Sequence, residues 1–128
     1  MYGFTTVVKG SFDEVHGKVT EALMAEGFGV LTEIDVQATL KKKLDIDKRP
    51  YKILGACNPG LANQAIDAEP DIGLLLPCNV VIREDESGDV VVGFMDPATV
   101  LGLVDNAGVA ELGAQVREKL IRVKDSLS

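Results

Sequence analysis

The 128-residue chain has no tryptophan, one histidine, two cysteines and only 5% aromatic residues. With so few large rings, the core must be built from Val, Leu, Ile and Ala. His16, Cys57 and Cys78 offer at most three soft ligands, far apart in the chain, where a structural zinc site needs four. No metal and no cofactor is therefore expected. Two cysteines make no disulfide framework and read as thiols. Basic residues are also short, 13 against 20 acidic, for a net charge of −7. That balance repels nucleic-acid phosphates and anionic lipid surfaces, so neither is an expected partner. The longest apolar run, 72–82, contains Pro and Asn and is far too short to cross a membrane. The first residues lack a basic segment followed by an apolar one, so a cytoplasmic location is expected. Glycine-rich phosphate loops, Ser-His-Asp signatures and Cys-x-x-Cys pairs are missing.

Hydrophobic residues reach 46%, enough for one packed domain over residues 1–128. Alternation predicts strands at 2–8 and 28–34, with Phe28, Val30, Thr32 and Ile34 on one face of the second. Ser11 and Glu14 have capping-box spacing, and Gly27 ends the helix they start. Asp35 caps a short helix at 36–44. Strands follow at 51–57, 73–83 and 89–95, the last two joined by a hairpin turn at 85–88. Pro77 falls inside the fourth strand and points to a bulge, or to a stretch where the backbone donor would face no neighbour. Asn58-Pro59 and Asp96-Pro97 are cap-then-proline helix starts, for helices at 59–68 and 97–104. Val109, Leu112, Val116, Leu120, Val123 and Leu127 make the apolar stripe of a last helix.

This order implies an α+β fold: a single, mainly antiparallel sheet of about five strands with amphipathic helices on one face. Strands four and five are apolar on both faces. A second copy covering the other face is the economical solution, so a homodimer is expected.

Both cysteines are followed by asparagine, in Cys57-Asn58-Pro59 and Pro77-Cys78-Asn79. Cys57 ends a strand beside a helix N-terminus, where partial positive charge favours a thiolate. Asn58 has a structural duty as a cap. Asn79, in an apolar strand, must find polar partners or face a pocket. Cys57, Asn58, Cys78 and Asn79 are thus the candidate ligand-binding residues. Cys57 is the catalytic candidate should the protein be a thiol enzyme. Free cysteine also fills cores as a small hydrophobe.

The runs 51–59, with Cys57-Asn58-Pro59, and 76–80, with Pro77-Cys78-Asn79, together resemble domain-of-unknown-function family 302. The segment 33–44 and Met95-Asp96-Pro97 are similar to that family as well. The resemblance implies a small dimeric α+β protein and brings no settled catalytic residues with it.

Three readings stand. The first is a ligand-binding or sensing module at the two Cys-Asn motifs. The second is a thiol-dependent redox or sulfur-transfer protein using Cys57. The third is a structural interaction domain without a small-molecule site. Lys41, Lys42, Lys43, Lys48, Arg49 and Lys52 form a basic cluster that reads as a solvated face, or as a patch for an anion or an acidic partner.

Overall fold

The computed structural model describes residues 1–128. Five strands form one antiparallel sheet: β1 (Gly3–Val8), β2 (Gly29–Asp35), β3 (Tyr51–Cys57), β4 (Cys78–Glu84) and β5 (Val90–Met95), in the order β1-β5-β4-β3-β2. The helices are α1 (Phe12–Ala25), α2 (Val36–Leu44), α3 (Pro59–Ala68), α4 (Pro97–Leu101) and α5 (Ala107–Leu127). The fold is α+β.

Local chemistry explains most boundaries. Ser11 Oγ accepts from the Glu14 N–H while Glu14 reaches back to Ser11, which closes the capping box of α1. Asp35 accepts from the Ala38 N–H at 2.9 Å and starts α2. In the β4–β5 turn, Asp85 Oδ1 accepts from the N–H groups of Ser87 and Asp89, both at 3.0 Å.

Two hydrophobic clusters hold the molecule. The larger lies between the sheet and helices α1 and α5, around Val15, Val19, Leu54, Val80, Phe94 and Leu120. The smaller lies beyond the sheet end and joins Ala65, Ile72, Leu101, Val109 and Leu112. Helix α5 enters both: Val109 and Leu112 belong to the second, Val116, Leu120 and Val123 to the first.

An ion pair between buried Asp96 and half-exposed Arg117 ties α5 to the sheet margin. Asp96 Oδ2 accepts from Arg117 Nε at 3.1 Å, and Asp96 Oδ1 caps α4 through the Ala98 N–H at 3.0 Å. The Arg117 guanidinium lies over the Phe4 ring, 5.9 Å from its centroid. Asp96 is a buried carboxylate, and such a charge persists only when paired and hydrogen-bonded.

The fourth strand starts later than the periodicity predicts. Residues Pro70–Leu75 form a short 3-10 helix, and β4 begins only at Cys78. Pro70 fits the first position of that helix. Ile72 is 1% exposed in the second cluster, whereas Leu74 is 88% exposed. A short apolar run fits either a strand or a helical turn, and period alone does not arbitrate. Pro77 therefore stands just before the strand, not inside it, and removes no ladder donor from β4.

The face assignment of β2 also changes. The register slips between Val30 and Thr32, where Leu31 is the extra residue. Val30 opposes Ala56 and Glu33 opposes Leu54, on the helix-covered side. Thr32 opposes Gly55 and Ile34 opposes Ile53, on the other. The first strand omits Tyr2, which is exposed, and α4 ends at Leu101 instead of reaching 104.

Close packing of α5 on α4 needs Gly113. A Cβ there would stand 2.9 Å from the Pro97 carbonyl oxygen. Alanine has the better helix propensity by about 1 kcal/mol, but the clash is with backbone and cannot be relieved by a side-chain rotation. Gly113→Ala is expected to lower stability by about 1–2 kcal/mol net, measured by urea denaturation. Unchanged or raised stability would show that α4 shifts freely.

Candidate functional site

Strand β3 and strand β4 part company at one end of the sheet. The last ladder pair is Ala56 with Cys78. Cys57 is one residue further and opposes Gly29 of β2. Asn58 Oδ1 then accepts from the Leu61 N–H at 3.3 Å, Pro59 takes the first helical position, and α3 turns away from the sheet. On the other side, Leu76-Pro77 delivers the chain from the 3-10 helix into β4.

The space left between these departing segments is a cavity of about 310 Å³. It lies at the seam of the two hydrophobic clusters. Ala56, Cys78 and Val116 come from the larger, and Ala65, Leu101 and Leu112 from the smaller. Thirteen of its 17 lining residues are hydrophobic and none is charged. Leu31 and Ile66 line it yet are 67% and 45% exposed, so they mark its mouth.

Both cysteines border this cavity as free thiols. Cys78 is buried, only 6% exposed. Burial pushes its thiol up from 9.0 to about 11, with Cys57 adding to the shift. Cys78 is thus protonated at neutral pH and acts as part of the apolar wall. Cys57 is half-buried and is the more accessible sulfur.

Asn58 also lines the cavity, but Asn79 does not. Asn79 sits one residue past Cys78, so strand alternation turns it to the opposite face. There it is exposed and borders a second groove, about 530 Å³, with Tyr51, Val81, Arg83 and Gly93. The structure therefore joins Cys57, Asn58 and Cys78 and separates Asn79 from them.

Several wall residues carried no functional signal in the sequence. Ala62 and Ala65 of α3 are merely small, and Leu112 and Val116 read as an ordinary helix stripe. Thr32, just past the β2 bulge, also lines the cavity. Gly55 lets Thr32 and Pro77 close over it: a Cβ there would overlap the Thr32 hydroxyl and come within 2.8 Å of Pro77 Cγ.

Half of the basic cluster is paired at home, and Lys42, Lys43 and Lys48 have no acidic partner. Lys41 Nζ meets Asp45 at 2.9 Å and Asp47 at 3.0 Å, Arg49 stands 3.9 Å from Glu84, and Lys52 Nζ meets Glu33 at 2.8 Å. The Lys52 contact holds the Glu33 carboxyl below its ordinary value and raises Lys52 in return. His16 Nε2 is 3.1 Å from Glu33 Oε1 and is the one buried side-chain nitrogen or oxygen without a hydrogen-bond partner. No three His, Cys, Asp or Glu side chains are grouped to hold a metal ion. No helix is long and apolar enough to cross a membrane.

The family model for the domain of unknown function DUF302 matches residues 4–127. The chain belongs to the DUF302 family. It is similar to the crystal structure of an uncharacterized conserved DUF302 protein from Bacillus stearothermophilus, at 28% identity and a TM-score of 0.92, covering 100% of this chain and 99% of that one. Comparison with curated proteins gives no match. The sheet order and the helix placement described above are therefore a DUF302 architecture.

The two thiols should behave unequally. Iodoacetamide at pH 7.5 is expected to modify Cys57 first and leave Cys78 intact in the folded protein, as read by peptide mass spectrometry. Ionisation of Cys78 is resisted in the folded chain up to about 11 but not after unfolding. Folding stability should accordingly fall as pH rises from 9 towards 11, and Cys78→Ala should flatten that decline. Equal labelling of both thiols at pH 7.5 would contradict the buried placement.

Proposed function

We propose that this DUF302 protein is a binding or sensing module for a small molecule held in the cavity at the sheet end. The observation that carries this is an uncharged, mostly hydrophobic cavity, open at the Leu31 and Ile66 mouth and bordered by Cys57, Asn58 and Cys78. Its volume falls at the lower end of ligand pockets. A void of this kind at a seam, with small side chains on its wall, supports occupancy by a ligand better than it supports core packing.

The neutral probe N-phenyl-1-naphthylamine, whose emission rises in apolar surroundings, tests this. It should bind saturably, and it should slow alkylation of Cys57. Ala62→Phe, at a half-buried wall position, should fill the cavity and abolish both effects while leaving the circular dichroism spectrum unchanged. Binding that survives in Ala62→Phe would place the probe elsewhere and sink the reading.

A thiol-dependent redox or sulfur-transfer role for Cys57 is the second reading. It is favoured by two thiols bordering one cavity. Two facts weigh against it. Cys78 is held protonated, and no acid or base lines the wall to move a proton.

We also propose that the protein works as a cytoplasmic homodimer through the uncovered sheet face. Val7, Val81, Val91 and Met95 lie there around Gly93, and the strand residues of this face include no carboxylate. On a chain of net charge −7, such a face lets two copies meet without like-charge repulsion. The free thiols support the cytoplasm as its location. Light scattering should give twice the chain mass, and Val81→Glu should give a folded monomer. A wild-type monomer at micromolar concentration would remove the dimer.

A further inference from the structure

The wall of the sheet-end cavity says what kind of molecule belongs there. This rests on the binding reading above and narrows it. None of the lining side chains carries a charge, so an ionised group drawn inside would lose its hydration with no counter-charge in return. The hydrogen-bonding side chains are few. Asn58 spends its Oδ1 on the Leu61 N–H of its own helix. Cys78 contributes a protonated sulfur, chemically closer to a methylene than to a hydroxyl. Thr32, Cys57 and the Asn58 amide nitrogen are the other polar groups, and the rest of the wall is apolar, with Leu61, Leu76, Leu101, Leu112 and Val116 dominant and Phe28 the only aromatic ring.

The rim has the same character. Leu31 and Ile66 are exposed there, and Leu74, next to the lining residue Gly73, is 88% exposed. No lysine or arginine is among the lining residues to receive a carboxylate or phosphate head, and the chain as a whole is acidic. A fatty acid or an acyl phosphate would have no partner for its charge and would feel the net negative field of the protein.

We infer that the ligand is an uncharged, hydrocarbon-like molecule, an aliphatic chain or ring held by its apolar body. Any polar group it bears stays at the mouth formed by Leu31 and Ile66. Recognition then follows shape and buried apolar area instead of a head group. Each added methylene that enters the cavity should tighten binding about fourfold, until the cavity is full.

The experiment is displacement of N-phenyl-1-naphthylamine from the wild-type protein by homologous 1-alkanols, by their methyl ethers and by the alkanoates of equal chain length. Protection of Cys57 from iodoacetamide serves as a probe-independent readout. The expected result is affinity that climbs with alkanol length to a plateau and is alike for alkanol and methyl ether. The alkanoate should be at least about tenfold weaker at pH 7.5. An alkanoate that binds as well as its alkanol overturns the inference, as does affinity independent of chain length. Either result leaves the binding reading standing, provided that the probe itself binds and Ala62→Phe abolishes it. Failure of the probe and of every competitor to protect Cys57 overturns both.

Discussion

One helix belongs to two hydrophobic cores. The first turns of α5 pack Val109 and Leu112 against α3, α4 and the 3-10 helix, and its later turns pack Val116, Leu120 and Val123 under the sheet. The helix is one continuous hydrogen-bonded rod, so the two cores cannot slide independently. The Asp96–Arg117 pair adds a fixed point midway along it. The relative position of sheet and helical end is set by this one element.

The cavity follows from that constraint. Strands β3 and β4 stop pairing at Ala56 and Cys78, and the chain leaves them in different directions under Asn58-Pro59 and Leu76-Pro77. The rigid α5 prevents the two clusters from collapsing into the gap. The residues that reach it from β3 and β4 are small, Ala56, Cys57 and Cys78, and α3 adds Ala62 and Ala65 beside Leu61 and Ile66. Larger side chains at those positions would merge the cores and erase the cavity.

Much of the fold was legible because its signals are local. Asn58-Pro59 and Asp35 placed the starts of α3 and α2 where they occur, since an N-cap needs only its own next three residues. The Asp85–Gly88 turn gave the β4–β5 hairpin for the same reason. Residues 73–77 carry the pattern of a strand without forming one, because a short apolar run looks alike in a strand and in a helical turn, and the neighbours that decide it in the second cluster are distant in sequence. The bulge at Leu31 left no mark in the composition of β2, yet it put Thr32 opposite Gly55 and Glu33 opposite Leu54, on the reverse of the faces that alternation assigns.

The candidate site divides in the same way. The sequence by itself singled out Cys57, Asn58, Cys78 and Asn79, and gave Asn58 its cap, because residue chemistry and short-range spacing are written in the chain. Only the tertiary structure decided that Cys57 and Cys78 share a cavity while Asn79 faces away. That outcome depends on where β4 starts, on the register of β3 with β4, and on how far α5 holds the two cores apart. Each is a long-range packing result, and side-chain periodicity of two cannot specify it without a known first residue and a known partner.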